Sequence, residues 1–198
     1  VSDGVQLAGA LKELERDLRN STAAAASHLN SSMLIGYPDL IRAENRVLAK
    51  QRVSAVEFYD RAVASSDYWL YRLRRGINFY RLGRWQQALT DLDATLSQRP
   101  HVARVLSLRA RTLFALGHVT EAFSSWQSAL SLNPYDPLIL LHQSFALRDE
   151  QRFDDALQSL NHALEFGSRN QHIWDARGRL FLYDKQFFLR ATHDLARA

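Results

Sequence analysis

The side chains that could do chemistry in this 198-residue sequence are seven histidines, two carboxylate pairs and a cluster of arginines. The histidines, at positions 28, 101, 118, 142, 162, 172 and 193, show no spacing typical of metal ligands. Asp149-Glu150 and Asp154-Asp155 have the residue types of a general acid–base pair, but their polar surroundings favour solvated turns. There is no HExxH, Walker, GxGxxG or GxSxG motif. We therefore predict no catalytic residue, no cofactor and no metal site, and we expect a protein that is not an enzyme.

Arginines are concentrated in the middle of the chain. Residues 68–119 contain nine arginines against two aspartates, a net charge of +7, whereas residues 120–165 have a net charge of −5. The densest group consists of Arg72, Arg74, Arg75, Arg81 and Arg84. On a helix the members of this group point to opposite sides, so they form no continuous stripe for phosphates, and we expect no nucleic-acid partner. The alternatives are a solvated surface and the docking of an acidic peptide or protein surface.

The composition is that of a folded, helical protein. Apolar residues make up 46% and charged residues 23% of the chain, and there are only four prolines and eight glycines. The absence of cysteine excludes disulfides and cysteine-ligated zinc, and it is equally compatible with the bacterial cytoplasm and the periplasm. No apolar run is long enough to predict a membrane span.

The elements that would position any site belong to a repeat of about 34 residues. Residues 81–100 read RLGRWQQALTDLDATLSQRP, and residues 115–134 read ALGHVTEAFSSWQSALSLNP. An alanine that opens an AxxxΦxxA block, in which Φ is large and apolar, recurs at Ala55, Ala88, Ala122, Ala156 and Ala191. Spacings of three and four place these apolar residues on one face of a helix. A second amphipathic segment precedes each block.

Glycine and proline mark the ends of these helices. Gly83 and Gly117 are expected to end the first helix of a unit in a left-handed turn, and Pro100 and Pro134 follow the second helix. A single helix pair cannot bury its own apolar face, so we expect equivalent helix pairs to stack one after another along the chain. The aromatic residues that recur with the repeat are predicted to lie in the core, namely Phe79, Trp85, Trp126, Phe153, Phe181 and Phe188.

This pattern resembles the tetratricopeptide repeat (TPR) family. The second unit carries Gly76, Phe79, Gly83, Trp85, Ala88 and Pro100, and the third carries Ala110, Leu113, Gly117, Ala122, Trp126 and Pro134. The last unit carries Trp174, Gly178, Phe181, Phe188 and Ala191. Arg75, Arg109, Gln143 and Arg177 occupy positions at which the family has leucine, as in a variant of bacterial members. The resemblance implies an all-α fold, a right-handed α-solenoid of four to five stacked antiparallel helix pairs.

We divide the chain accordingly. Residues 1–37, with an amphipathic helix at 5–19, are expected to cap or extend the stack, and residues 38–198 form the solenoid. The predicted units span about 38–67, 69–102, 103–136, 137–170 and 171–198, the last one truncated inside a second helix, which suggests a longer parent protein. The fourth unit lacks the turn glycine and the proline. The first unit also lacks the glycines, which leaves open a single long helix there.

The resemblance also implies a binding surface, because the first helices of such repeats line a concave groove. The residues that recur on that face, and so are the candidate peptide-binding residues, are Leu73, Ile77, Tyr80, Arg104, Ser107, Arg111, Phe114, Leu141, Phe145, Arg148, Asp175 and Arg179. Leu73, Ile77 and Leu141 could equally pack between helices. A family subgroup grips chaperone tails with Lys and Asn, but this sequence has other residues at those positions, so we expect no chaperone-tail receptor.

We therefore predict a non-catalytic scaffold or adaptor that binds a protein or peptide segment, with apolar and acidic residues, in its groove. One alternative is a scaffold or targeting arm of a larger enzyme or of a secretion or export machine, with the chemistry outside this segment. Another is homo-oligomerisation through the end faces of the stack. The identity of the partner and the compartment are left open.

Overall fold

The computed structural model describes residues 35–165 and 170–183 of the chain. Within these residues there are nine α-helices and no strand. The helices are α1 (Tyr37–Leu48), α2 (Arg52–Ser65), α3 (Trp69–Arg81), α4 (Trp85–Gln98), α5 (Ala103–Ala115), α6 (Val119–Leu132), α7 (Pro137–Asp149), α8 (Phe153–Glu165) and α9 (Gln171–Tyr183). The all-α prediction is confirmed. The predicted helix at 5–19 and the final block at Ala191 lie outside the described residues.

The helices pack as consecutive hairpins. Helix α1 packs on α2, α3 on α4, α5 on α6, and α7 on α8, and each hairpin also packs on the next one along the chain. The first helices of neighbouring hairpins meet as well, α5 with α7 and α7 with α9. Because the contacts run mainly between neighbours in chain order, the molecule is an α-solenoid, as the repeat predicts.

Small residues allow the helices of a hairpin to approach closely. The recurring alanines Ala55, Ala88, Ala122 and Ala156 have no exposed surface. Opposite Ala88, a Cβ on Gly76 would lie 3.1 Å from Cβ of Asp91 and 3.4 Å from the carbonyl oxygen of Ala88. Even a methyl group on α3 would therefore crowd α4, which is the physical reason for a small residue at this point of the period.

The turn inside each hairpin contains one residue in the left-handed conformation. Gly83 and Gly117 have φ angles of +72° and +83°, as predicted from their positions at the end of a first helix. Lys50 and Gln151 take the equivalent place in their hairpins, each with φ of 60°. The first unit is thus a hairpin and not one long helix, because the chain turns between α1 and α2 although no glycine is present.

The aromatic residues divide between the core and the surface. Phe79, Trp126 and Phe181 are buried, as predicted. The prediction is wrong for Trp85 and Phe153, which are 40% and 38% exposed. Each is the first residue of a second helix, α4 and α8 respectively, directly after the turn, so its side chain lies at the edge of the hairpin and not between helices. Phe188 lies outside the described residues.

Candidate functional site

A groove with a volume of about 450 Å³ runs across the first helices α3, α5 and α7 and reaches His172 on α9. Its lining combines residues from three consecutive hairpins and the start of the next. Nine of the twelve predicted positions line it: Leu73, Ile77, Tyr80, Arg104, Ser107, Arg111, Phe114, Leu141 and Phe145. The structure therefore brings together, in one depression, predicted side chains that are up to 72 residues apart in the sequence.

The floor of the groove consists of core residues. Leu73, Ile77 and Leu141 are 1%, 6% and 4% exposed. Leu73 and Ile77 belong to a buried cluster with Leu92 and Val105, so their first role is to pack one hairpin on the next. The side chains that a ligand could cover lie higher on the walls. Phe145 is an exposed aromatic ring, and Phe114 is half-buried.

Arg111 is the cation that the groove presents. Its guanidinium carbon lies 4.9 Å from the centre of the Tyr80 ring, in a cation–π arrangement. Within the described residues it has no carboxylate within ion-pair distance. Arg104, in contrast, donates from Nε to Asp136 Oδ2 at 3.1 Å, and the same aspartate caps the N-terminus of α7 through the Leu138 amide. Arg111 therefore retains hydrogen-bonding capacity for a ligand.

His142 lies beside Arg111 and stays uncharged. Burial, with a smaller contribution from the positive charge of Arg111, lowers the pKa of His142 to about 3. The imidazole is therefore neutral at physiological pH, and it can accept or donate a hydrogen bond without adding charge. The positive charge of this part of the groove is concentrated on Arg111.

Two buried hydrogen-bond donors in the lining have no partner among the described residues. They are the hydroxyl of Ser107 and the indole Nε1 of Trp126. Unpaired buried donors cost free energy, about 1–3 kcal/mol for a neutral group, and are unusual unless water or a ligand satisfies them. Their position in the lining makes a polar ligand group, such as a peptide carbonyl, a fitting acceptor.

Three predicted positions do not line the groove. Arg148 donates to the Asp149 carboxylate at 2.7 Å and stacks 5.6 Å from the centre of the Phe145 ring. Asp175 and Arg179 pair with each other along α9, at 2.9 Å. Arg148 lies about 100° around the helix from Asp149, the residue of the last turn of α7 that does line the groove.

Several lining residues were absent from the predicted set, notably Leu108, His142 and Asp149. On α7 the residues at 138, 142, 145 and 149 form one stripe with the spacing of successive helical turns. The predicted stripe is the adjacent one, at 141, 145 and 148. The sequence signal was present, because both stripes recur with the 34-residue period, but only the packing of the next hairpin shows which of them faces the groove.

The arginine cluster is divided among separate contacts. Arg75 donates from Nε and Nη2 to the buried carboxylate of Asp91, both at 2.8 Å, and from Nη1 to Asp60 on the preceding hairpin. The same place is taken by Arg109, which bonds Asp93 and Ser125, and by Arg177, which bonds Asn161. Arg75 and Arg109 thus each connect the two helices of their own hairpin and also bond the preceding hairpin.

The two carboxylate pairs flank the exposed turn between α7 and α8. Asp149 pairs with Arg148 and Asp155 with Arg152, both as exposed ion pairs. In the part of the chain that the structure describes, no group of three His, Cys, Asp or Glu residues is placed to hold a metal ion. Among the same residues, no helix has the length and apolar character needed to cross a membrane.

An α-solenoid of two-helix units with a groove along its first helices is the architecture of helical-repeat scaffolds. The family model described as Tetratricopeptide repeat matches residues 73–137, which run from within α3 to the first residue of α7. Residues 73–137 are therefore a tetratricopeptide-repeat segment, and the resemblance seen in the sequence is confirmed there. A search of curated protein sequences returned no significant match.

Solved structures with the same fold include bacterial TPR proteins. TTC0263, a thermophilic TPR protein of Thermus thermophilus, is 18% identical, with a TM-score of 0.70 over 82% of this chain and 89% of that one. Residues 41 to the end of MamA from Desulfovibrio magneticus RS-1 are 12% identical, with a TM-score of 0.69 over 85% and 94%. YrrB, a TPR protein described as having an unusual peptide-binding site, is 18% identical, with a TM-score of 0.59 over 88% and 89%. At these identities the likeness concerns the fold.

Proposed function

We propose that this protein is a non-catalytic interaction module that binds a segment of another protein in the groove across α3, α5 and α7. The observation that carries the proposal is the combination of an open apolar groove with one guanidinium, that of Arg111, that is stacked on Tyr80 and has no ion-pair partner in the described residues. TPR proteins bind protein or peptide partners, and YrrB is described as having a peptide-binding site. Both facts support the assignment.

The chemistry of the groove favours a segment with one acidic and at least one bulky apolar residue. A carboxylate would pair with Arg111, because the other lining arginine, Arg104, is already paired with Asp136 and His142 is neutral. The apolar side chain would cover Phe145 and Phe114, removing exposed ring surface from water. Backbone carbonyls of the segment could accept hydrogen bonds from Ser107 and Trp126. These contacts suit an extended peptide or one face of a helix.

The test begins with peptides selected from a random displayed library against the wild-type chain. We expect the selected peptides to be enriched in Asp or Glu next to aromatic or aliphatic residues. The double variant Arg111→Ala/Phe145→Ala removes the charge and the anchor surface, and it should weaken binding at least tenfold, which corresponds to about 1.4 kcal/mol. Fluorescence anisotropy of a labelled peptide gives the dissociation constants.

The matched control is Arg152→Ala/Phe153→Ala. It removes the same two residue types, and the Phe153 ring is as exposed as that of Phe145, but neither residue lines the groove. The control should bind the selected peptides as the wild type does, and both variants should keep the far-UV circular dichroism of a helical protein. Unchanged affinity in the groove variant, or an equal loss in the control, would refute the proposed site.

A further inference from the structure

Exposed apolar side chains are concentrated at the start of the part of the chain that the structure describes. Of the eleven large hydrophobic residues that are exposed among the described residues, five lie between residues 35 and 53. Three of these five belong to α1, namely Tyr37, Ile41 and Leu48. Ile41 and Leu48 follow Tyr37 by four and eleven residues, a spacing that places all three on one side of the helix. We call this row the α1 stripe.

The position of Ile41 recurs in the later first helices, and there it faces the first helix before it. When the hairpins are aligned on their left-handed turn residues, Ile41 corresponds to residue 74 on α3, 108 on α5 and 142 on α7. Arg74 Nη1 lies 3.8 Å from Glu44 Oε1 on α1. Leu108 packs against the buried cluster to which α3 contributes Leu73 and Ile77.

The same direction holds on α7, and only α1 departs from it. His142 lies beside Arg111 of α5, whose charge adds to the effect of burial in lowering the pKa of His142. Three first helices therefore turn this position towards the first helix that precedes them. Since α1 is the first helix that the structure describes, no described helix stands there, and Ile41 is 42% exposed where Arg74 is 8% exposed. The repeat thus calls for a helix packed on the α1 stripe.

The sequence before α1 contains a segment with a matching apolar row. Residues 5–19, VQLAGALKELERDLR, carry leucines spaced by four, three and four residues, which lie on one side of a helix, at positions 7, 11, 14 and 18. The 17 residues from 20 to 36 that separate this segment from α1 can span at most about 56 Å. This exceeds the length of α1, about 18 Å, plus the separation of packed helices, about 8–10 Å, so the segment can reach the stripe in either direction.

We propose that residues 5–19 pack as a helix on the α1 stripe of the same chain, with the four leucines on the three exposed side chains of the stripe. This segment is the occupant because it directly precedes α1 and because the two apolar rows have the same spacing. The contact removes apolar surface from water and covers the interface that a terminal repeat otherwise leaves bare. The stripe is not part of the groove lining, so the inference does not depend on the proposed function.

Cysteine cross-linking tests this contact in the full chain, which has no cysteine of its own. Leu11→Cys/Ile41→Cys and Leu14→Cys/Ile41→Cys each place one thiol near the centre of each row, so one pair is opposed whichever way the docked helix runs. A bis-maleimide reagent that bridges the ~8–10 Å between packed helices should link at least one of the two pairs within a single chain. Mass spectrometry of the digested product identifies the link.

Two control pairs and a mixing experiment decide between occupants. Position 16 lies on the side of the 5–19 segment opposite its leucines, and Arg46 lies on the far side of α1, so Arg16→Cys/Ile41→Cys and Leu11→Cys/Arg46→Cys should link far less. Chains with Leu11→Cys alone, mixed with chains with Ile41→Cys alone, should give no linked dimer. A linked dimer would assign the stripe to a second copy and overturn the proposal. So would equal linking in the control pairs, or no link in either central pair.

Thermal stability gives an independent readout. Leu48 and Val53 are both largely exposed, at 76% and 66%, but the positions equivalent to Val53 carry exposed polar residues in the next three units, Gln86, Thr120 and Asp154. Leu48→Gln should lower the thermal midpoint by roughly 3 °C, because residues 5–19 cover that side chain. Val53→Gln is the matched control and should leave the midpoint unchanged. Equal midpoints for the two variants would refute the covered stripe.

Discussion

The contribution of the Arg75–Asp91 ion pair to stability can be tested by substitution, because an equivalent position of the same chain holds a neutral pair that can serve as the replacement. Asp91 is 1% exposed and receives two hydrogen bonds of 2.8 Å from Arg75. Two hairpins later, the equivalent pair is Gln143 and Ser159, joined by a hydrogen bond of 3.4 Å without any charge. One hairpin later the position holds Arg109 with Ser125, and there the guanidinium finds its carboxylate in Asp93 on the preceding hairpin. The same architectural position therefore holds a charged pair, a neutral pair, or an arginine whose carboxylate comes from another residue.

Arg75→Gln should destabilise the fold by about 3 kcal/mol, because breaking a buried pair costs 3–5 kcal/mol by leaving a charge uncompensated. We expect the lower end of that range because Arg72 Nη1 lies 4.0 Å from Asp91 Oδ1 and would compensate in part. Asp91→Ser should cost about 1.5 kcal/mol, since Arg75 keeps Asp60. The double variant Arg75→Gln/Asp91→Ser copies the neutral pair and should lose no more stability than the Asp91→Ser variant alone. The two substitutions should therefore be coupled by about 3 kcal/mol.

Urea unfolding followed by far-UV circular dichroism measures these differences as shifts of the midpoint at constant slope. Arg109→Gln is the matched control. Arg109 occupies the same place one hairpin later, but its carboxylate partner, Asp93, is 48% exposed, so the loss should stay below about 1 kcal/mol. Equal losses for Arg75→Gln and Arg109→Gln, or strictly additive losses in the double variant, would refute the reasoning.

Two other predictions concern the hairpin turns and the groove histidine. Gln151→Gly should raise stability by about 0.5–1 kcal/mol, because it relieves the left-handed strain at φ of 60°. The control Glu150→Gly, at a φ of −81°, should lower stability. Urea midpoints of the two variants that move in the same direction would contradict this prediction. His142 is neutral in the fold, with its pKa lowered to about 3, but titrates near 6.5 when unfolded, so the unfolded state binds more protons in that window. The free energy of unfolding should fall as the pH drops from about 6.5 towards 3, and His142 should contribute up to about 1.4 kcal/mol of this fall per pH unit. His142→Gln should therefore make the free energy of unfolding depend less on pH in this window. Parallel pH profiles for the two proteins would contradict a buried neutral imidazole.

The fold could be predicted in large part because its determinants are local and periodic. Gly83 and Gly117 are read correctly as left-handed turn residues, since glycine adopts that conformation without strain. Lys50 and Gln151 adopt the same conformation without glycine, which residue type does not reveal. The sequence could have predicted these turns from position alone, because Lys50 lies 33 residues before Gly83 and Gln151 lies 34 residues after Gly117. Tertiary packing of the two helices imposes the turn there.

The site was harder to predict because it depends on geometry between hairpins. The 34-residue period identifies the first helices, but two neighbouring stripes on each helix are equally periodic. Which stripe lines the groove is decided by the rotation of the next hairpin, and this is why Arg148 was included and His142 was not. The pairing of Arg75 with a carboxylate 16 residues away likewise requires the crossing of α3 and α4. Trp85 and Phe153 were wrongly assigned to the core because their recurrence does not show that each is the first residue of its helix, at the edge of the hairpin.

The most direct test of the central claim, that partners bind in the groove across α3, α5 and α7, is to map the backbone amide chemical-shift changes when a selected peptide is added to the chain. The account predicts that the largest changes cluster on the groove-facing residues of these first helices, around Arg111, His142 and Phe145, and that the outer helices α4, α6 and α8 change little. Changes concentrated on the outer helices, with the groove residues unaffected, would contradict it.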